Sequence, residues 1–281
     1  MNIGIVGKGF VGSAVHNGFS PNTGCDAKVR VYDKNPLRSL HTLEETVNES
    51  DFIFISVPTP ARSDGHIDLT ILNDAINDIN EVSTNRETIF LVRSTVVPGT
   101  TSNFQYTFPS LRLVFNPEFL TERSANFDFI NQTRFILGGD KENTSKVSDL
   151  FRWRFGKSIS ILETSYETAE LIKYMNNTFF ATKISFLNDM KLLSDKCGAV
   201  WEDAVDGFVR DGRIGHTHLN VPGHDGKYGF GGSCFPKDIQ AIINYANELD
   251  VDMDVLKGAW KTNLKVRPEK DWEELKGRSV S

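Results

Sequence analysis

Asn2-Ile3-Gly4-Ile5-Val6-Gly7-Lys8-Gly9-Phe10-Val11-Gly12 decides the fold. Residues 2–6 are a short apolar run suited to a buried strand. A Gly-x-Gly-x-x-Gly turn follows, and then a helical pattern to about Phe19. Alone, the glycine motif is a weak signal. Here a second strand, Lys28–Tyr32, ends in Asp33, which lies 21 positions beyond Gly12. Strand, glycine turn, helix, strand and acid in that order describe a dinucleotide site. The glycines admit a pyrophosphate to the helix N-terminus, where unpaired N–H groups and the helix dipole favour an anion. Asp33 then accepts from the ribose hydroxyls and repels a 2′-phosphate, which favours NAD over NADP. Lys34 beside it moderates that preference. A glycine turn followed by an unrelated surface acid explains less of the pattern.

Outward from this unit the alternation repeats. Asp51–Val57 reads as a buried strand stopped by Pro58-Thr59-Pro60, and Leu69–Ile79 as a helix with Asp68 as its cap. Thr88–Arg93 is a fourth strand, followed by Ser94-Thr95-Val96-Val97-Pro98-Gly99. Leu111–Phe115 is a fifth, followed by Asn116-Pro117-Glu118-Phe119-Leu120-Thr121-Glu122. Arg134–Gly139 is a sixth, then a helix over Lys141–Phe155 and a strand near Ser158–Leu162. Repeated strand–helix pairs predict an α/β fold with a parallel, doubly wound, Rossmann-type sheet over 1–163. Ligands of such sheets bind at the carboxyl ends of the strands. Thr59, Thr95, Glu118 and Glu122 should gather there, round the glycine loop, although each alone also fits ordinary turn chemistry.

From Thr164 to Lys196 there is no proline or glycine. Ile172, Met175, Phe179, Phe186, Met190 and Leu193 fall at steps of three, four or seven, which predicts one long amphipathic helix. It would be the spine of a small all-helical domain over 164–260, with a charged tail at 261–281. Its apolar stripe suits packing within the chain or a subunit interface equally. Lys173 and Asn177 are four apart and share a face. They could both address one substrate oxygen. Locally, a solvated face with a Glu170–Lys173 ion pair is the simpler reading. Another helix covers about 197–210. The loop from Arg210 to Tyr228 carries Arg213, His216, His218 and His224. No acid or cysteine cluster with ligand spacing accompanies these histidines, so a metal is not expected, and a substrate-covering loop is.

Tyr228-Gly229-Phe230-Gly231-Gly232-Ser233-Cys234-Phe235-Pro236-Lys237-Asp238 leads into a helix ending near Leu249. Three glycines in four residues permit tight turns and close approach to a ligand. Cys234 would sit just before a helix N-terminus, which favours a thiolate, and Lys237 would push the same way. Asp238 falls one turn on. An activated thiol beside a carboxylate suits covalent catalysis, whereas a small buried cysteine and a helix-start acid is the plainer alternative.

The whole chain has 281 residues, 39% hydrophobic and 24% charged, with a formal net charge of −6 and no long basic run. Nucleic acid and anionic membranes are therefore not expected partners. No apolar run approaches a membrane span, and the N-terminus enters a strand without a signal-peptide pattern. Cys25, Cys197 and Cys234 form no Cys-x-x-Cys pair, which suggests reduced thiols and a cytoplasmic setting.

The ordered set of motifs resembles the UDP-glucose/GDP-mannose dehydrogenase family from Met1 to about Leu249. It comprises Gly7 to Gly12, Val57-Pro58-Thr59-Pro60, Ser94-Thr95-Val96, Asn116 to Leu120, Ala169-Glu170-Leu171-Ile172-Lys173 with Asn177, Arg213-Ile214-Gly215, and Gly229 to Asp238. The last is the most specific. The resemblance implies oxidation of a sugar C6 alcohol to a carboxylate, UDP-glucose to UDP-glucuronate foremost, with two NAD per turnover. It implies that Cys234 holds the intermediate as a thiohemiacetal and then a thioester. Lys173 and Asn177 would stabilise the oxyanion, Asp238 would help deprotonate water or the lysine, and Glu122 and Thr95 would position water and substrate. Gly7, Gly9, Phe10, Val11, Gly12, Asp33, Pro58, Thr59, Thr95 and Glu122 would face the cofactor. Glu118, Phe119, Leu120, Phe230 and Gly231 would face the sugar nucleotide, with Lys173, Asn177 and Arg213, the arginine reaching it from a neighbouring subunit. A homodimer is implied. The family carries a further Rossmann-like domain beyond this stretch, so a separate chain supplying it is one expectation. The competing readings are a one-step hydroxyacid dehydrogenase of the 6-phosphogluconate type and a non-catalytic NAD-binding remnant.

Overall fold

In the computed structural model, which describes residues 1–281, seven strands form one sheet in the order β2-β1-β3-β4-β5-β6-β7. They are β1 (Asn2–Val6), β2 (Lys28–Tyr32), β3 (Phe52–Ile55), β4 (Ile89–Val92), β5 (Arg112–Phe115), β6 (Arg134–Gly138) and β7 (Ser160–Thr164). Side chains alternate along each central strand, and both faces are covered, so the strands read as unbroken apolar runs. Ile53, Ile55, Phe90, Val92, Leu113 and Phe115 enter one core; Phe54, Leu91 and Val114 enter the other, with Phe19, Phe129 and Phe151. The chain leaves β1 for β2 on one side and later for β3 on the other. The carboxyl ends of β1 and β3 are thus the switch point at which such sheets bind ligands.

The sheet is not wholly parallel as expected: β5 and β6 run antiparallel, meeting at Phe115 and Gly138, while β6 and β7 are parallel again. The connection explains this. Its helix α5 (Ala125–Ile130) packs on α1 (Phe10–Gly18), with Phe129 against Phe19 at 6.1 Å, instead of crossing over the β5–β6 seam. Three boundaries also differ. α3 runs Thr70–Val82 with Leu69 in the N-cap position, one residue beyond Asp68; the Asp68 N–H closes the 60–68 excursion on the Pro60 carbonyl at 2.7 Å. β7 starts two residues late, because a turn donating from Ile159 N to Gly156 O uses the intervening chain. The long helix α7 runs Tyr166–Cys197.

The chain divides into two units. One is Met1–Thr59 with Leu69–Lys173; the other is Pro60–Asp68 with Tyr174–Ser281. In the second, α8 (Trp201–Val209), α9 (Phe235–Glu248) and α10 (Asp254–Val266) accompany most of α7. Phe230, Ile239, Ile243, Ala181 and Ala259 form its core, with Phe235 and Trp260 against them. The charged segment 261–281 completes α10, buries Trp272, and pairs with Ala61, which donates to Ser279 O and accepts from Ser281 N. Along α7 polar side chains share the buried face: Glu170, Lys173, Asn177, Ser185 and Asn188 are buried beside Ala169, Tyr174, Ala181 and Leu187. Met175, Phe179, Phe186 and Leu193 are more than half exposed. No helix is long and apolar enough to cross a membrane.

Candidate active site

In the first unit, the glycine loop joins β1 to α1. Gly7 has φ 93°, and its N–H donates to Tyr32 O at 2.9 Å. A side chain on Gly12 would drive its Cβ into the Gly7 carbonyl. One on Gly9 would meet nothing within 4 Å, and Gly9 caps α1 without any side-chain hydrogen bond. The loop is therefore a cradle that a Cβ would fill, at a helix N-terminus whose amides no side chain claims. It fits the pyrophosphate of a dinucleotide. Asp33 reaches back to it: Oδ2 accepts from Lys8 N–H at 2.6 Å, and Oδ1 from Asn35 N–H at 2.8 Å. Each oxygen keeps lone-pair capacity for a ribose hydroxyl. Phe10 and Val11 pack their side chains on the core, so their contribution to the cradle is backbone.

The loops after β3 and β4 are tied together. Ser94 Oγ donates to Val57 O at 2.7 Å, and the buried Thr59 Oγ1 donates to Thr95 O at 2.8 Å. Thr95 itself is half-buried. Glu170 fixes the far end of the β4 loop by accepting from Gly99 N–H at 2.7 Å and Thr101 N–H at 2.8 Å. Burial pushes its carboxyl up to about 7, against the opposing pull of those amides. Glu170 is thus not the surface partner of Lys173. Lys173 instead donates to Glu118 Oε1 at 2.9 Å and Glu118 O at 2.5 Å, with its ammonium 5.4 Å from the Phe119 ring centre. Both members of that ion pair are buried, at 3% and 6% exposure, so the solvated-face alternative does not hold. Glu118 Oε2 also accepts from Leu120 N–H at 2.7 Å, which shapes the β5 loop. Glu122 is exposed at the start of the next short turn. Arg93 was not foreseen. It is fully enclosed at the end of β4, donates to Asn116 Oδ1, and lies 5.8 Å from the Phe54 and Phe129 ring centres. Burial lowers its pKa to about 10. An arginine closing an apolar strand just before Ser94 was the available signal.

In the second unit, Cys234 is the partly buried N-cap of α9, and Pro236 occupies the first turn. Asp238 is 1% exposed. It accepts from Asn177 Nδ2 at 2.6 Å through Oδ2 and from Lys237 Nζ at 2.5 Å through Oδ1. Lys237 is therefore engaged by the carboxylate next to it. Phe230 is buried, and a Cβ on Gly231 would strike the Arg267 guanidinium. Arg213 is 89% exposed and paired with Asp211 at 2.5 Å; Lys183 holds its loop by donating to Ile214 O and Gly215 O. His218 stacks on Phe180 at 4.0 Å. Asn188, Asn263 and Arg267 bind the backbone just ahead of the cysteine and were also missed.

Residues 23–153 match the NAD binding domain of the UDP-glucose/GDP-mannose dehydrogenase family, and residues 167–265 match its central domain. The UDP-glucose 6-dehydrogenase of Rickettsia typhi is 33% identical over 300 residues, which span 95% of this chain and 68% of that one. UDP-glucose 6-dehydrogenase YwqF of Bacillus subtilis is 36% identical over 228 residues, 78% of this chain and 50% of that one. Among solved structures, a UDP-glucose dehydrogenase from Pyrobaculum islandicum superposes with a TM-score of 0.81 at 28% identity, covering 94% of this chain and 68% of the other. A 3-hydroxyisobutyrate dehydrogenase of Mycobacterium tuberculosis shares the fold, with a TM-score of 0.75 at 18% identity. This chain belongs to the UDP-glucose/GDP-mannose dehydrogenase family and is an NAD-dependent dehydrogenase-like oxidoreductase.

Proposed function

We propose that this chain oxidises the C6 alcohol of a nucleotide sugar, UDP-glucose foremost, to the carboxylate in two steps through Cys234. The observation that carries the reading is the placement of Cys234 at the N-terminus of α9, one turn from a buried carboxylate. A one-step hydroxyacid oxidation would use a glycine loop and a lysine–asparagine pair, and would leave that thiol without work. NAD, when bound, takes a hydride from the carbon being oxidised.

The chain's own groups do the rest. The alcohol first loses a hydride and a proton, giving an aldehyde. The Cys234 thiolate attacks its carbon; a C–S bond forms, and the carbonyl electron pair moves onto oxygen. Lys173, paired with Glu118 at 2.9 Å, and Asn177 stabilise that oxygen. Asp238 takes one N–H of the Asn177 amide, which aims the other at an oxyanion. A second hydride leaves the same carbon, and the hemiacetal becomes a thioester. Water then attacks the carbonyl, sulfur leaves as the thiolate, and Asp238 accepts a proton on the way. Thr95 and Glu122 position water and substrate. Arg213, exposed on its own loop, is suited to a phosphate-bearing substrate held by a second copy of the chain.

Counting NADH per sugar consumed, across a panel of nucleotide sugars, tests the reaction. Two per sugar are expected for the native chain, and no acid product for Cys234→Ser. One NADH per sugar, or two from the serine variant, would remove the thiol mechanism. We also propose self-association through the exposed face of α7, since apolar surface left in water costs roughly 25 cal/mol per Å² relative to burial. Light scattering should show a dimer that Phe179→Lys with Phe186→Lys converts to a monomer. A native monomer at micromolar concentration would refute it.

A further inference from the structure

Tyr228–Gly231, ahead of Cys234, is half-buried irregular backbone with Phe230 fully enclosed, and the N–H and C=O groups that it takes out of water must find partners. Three side chains provide them. Asn263, fully buried on α10, accepts from Phe230 N–H at 2.7 Å and donates to Phe230 O at 3.0 Å, so one amide serves both polar groups of one residue. Asn188, 1% exposed on α7, accepts from Gly229 N–H at 2.9 Å. Arg267, 2% exposed just past α10, donates to Tyr228 O at 3.3 Å. Its guanidinium is neutralised on both sides, by Asp225 at 2.6 Å and by Asp271 at 2.8 Å. Asp225 belongs to the turn that leads into the same stretch. Two of the glycines exist for this grip. A Cβ on Gly229 would strike the Asn263 carbonyl oxygen, and one on Gly231 would strike Arg267 and Asp271. At Gly232, by contrast, a Cβ would meet nothing within 4 Å.

We propose that Asn263, Arg267 and Asn188 are positioning residues for the catalytic thiol. They fix the backbone through Gly231, α9 fixes it from Phe235 onward, and Cys234 hangs on the three-residue span between the two anchors. The inference deepens the reading of Cys234 as the nucleophile and rests on it. No clamp residue touches the reacting atoms. What the clamp sets is where the sulfur sits against the amides of α9, and so how much of it is thiolate.

The test uses the full chain and two readouts. The first is the pH profile of Cys234 alkylation by iodoacetamide, resolved from Cys25 and Cys197 by peptide mass spectrometry, which needs neither cofactor nor sugar. The second is the aldehyde released to a hydroxylamine trap during UDP-glucose oxidation. Asn263→Ala is expected to move the half-point of alkylation up by about half a pH unit, about threefold less thiolate at neutral pH. It should also spill aldehyde, so that NADH per sugar falls from two toward one. Arg267→Lys, which keeps the charge but not the planar fork, should do the same to a smaller extent. Ser185→Ala is the control. It removes a buried hydrogen bond between α7 and α10, from Ser185 Oγ to Ala259 O at 2.8 Å, without touching the loop. It should lower stability and leave both readouts native. If Asn263→Ala does not fold, Asn188→Ala takes its place. Clamp variants that match Ser185→Ala in the alkylation profile would overturn the proposal. A shifted profile in a chain that oxidises no sugar would support the clamp while removing the reaction assigned to the thiol.

Discussion

The molecule contains two glycine-rich loops that look alike in sequence and differ in what comes close to their glycines. In the loop at 7–12, Gly9 is open to the outside, and a side chain there would meet only what the loop binds. In the stretch 229–232, Gly229 and Gly231 are filled from within, by Asn263, Arg267 and Asp271. The first loop keeps the space at Gly9 open, while its Gly7 and Gly12 lie against protein backbone; the second gives up the space at Gly229 and Gly231 to side chains. A glycine motif therefore states that something comes close to the backbone, and the fold decides what.

Single alanines break this comparison most sharply. Gly12→Ala places a Cβ against backbone that cannot yield, so both stability and NAD binding should be lost. Gly231→Ala meets a flexible but doubly paired arginine and should cost about 1–3 kcal/mol of stability with native NAD affinity. Gly9→Ala should leave thermal stability near native, because Gly9 has φ −74° and open space, and should weaken NAD about tenfold or more. Calorimetry and a fluorescence titration separate the three. Native NAD affinity in Gly9→Ala would show that the first loop is as self-serving as the second.

The devices that hold the loops differ too. The β4 loop beside the glycine cradle is gripped by Glu170, a titratable carboxylate; the thiol loop is gripped by amides and an arginine, which do not titrate near neutrality. Burial raises Glu170 from 4.5 to about 7. A carboxyl raised on folding binds its proton more tightly in the folded chain. Its contribution is complete below the unfolded value and is lost as pH rises through the folded one. Between about 4.5 and about 7, stability should therefore fall with rising pH, by up to about 3 kcal/mol from this group. In Glu170→Gln that segment of the pH dependence should vanish. Denaturant midpoints measured across the range decide it; equal slopes in both proteins would show that Glu170 does not titrate there.

What was legible follows from how local each cause is. The strand–glycine–helix–strand–acid unit is written in consecutive residues from Asn2 to Asp33, and Asp33 lies where that pattern puts it. That Cys234 and Asp238 sit together at one helix start was legible because both lie within five consecutive residues. Asn263 and Arg267 were not, because their targets lie over 30 residues away and isolated amides on helices carry no signal of what they grip. The local alternative that paired Glu170 with Lys173 fails for the same reason: each finds its partner on a different strand loop, and helical spacing cannot report that. The antiparallel turn at β6 depends on where α5 docks, a matter of Phe129 against Phe19 rather than of any residue in the strands.

The smallest expected effect concerns Asp33, which combines the tasks of the two kinds of loop. The thiol-loop clamp holds backbone without meeting ligand. Asp33 holds the Lys8 N–H and is also placed for a ribose. Asn at this position keeps an acceptor for Lys8 and loses the charge. If Asp33 does both tasks, Asp33→Asn should change stability little and weaken NAD about tenfold, the scale of one charge-assisted hydrogen bond made neutral. NADP, no longer repelled at its 2′-phosphate, should hold or gain affinity, so the NAD/NADP ratio should fall by more than the NAD affinity alone. A purely structural Asp33 gives a different result: a lower melting temperature with an unchanged ratio, the behaviour expected of Gly231→Ala. Tighter binding of NADP than NAD by the native chain would remove the ribose role altogether. Two titrations and one melting curve on each protein distinguish these cases, because only a carboxylate that meets the cofactor can alter the choice between cofactors differing by one phosphate.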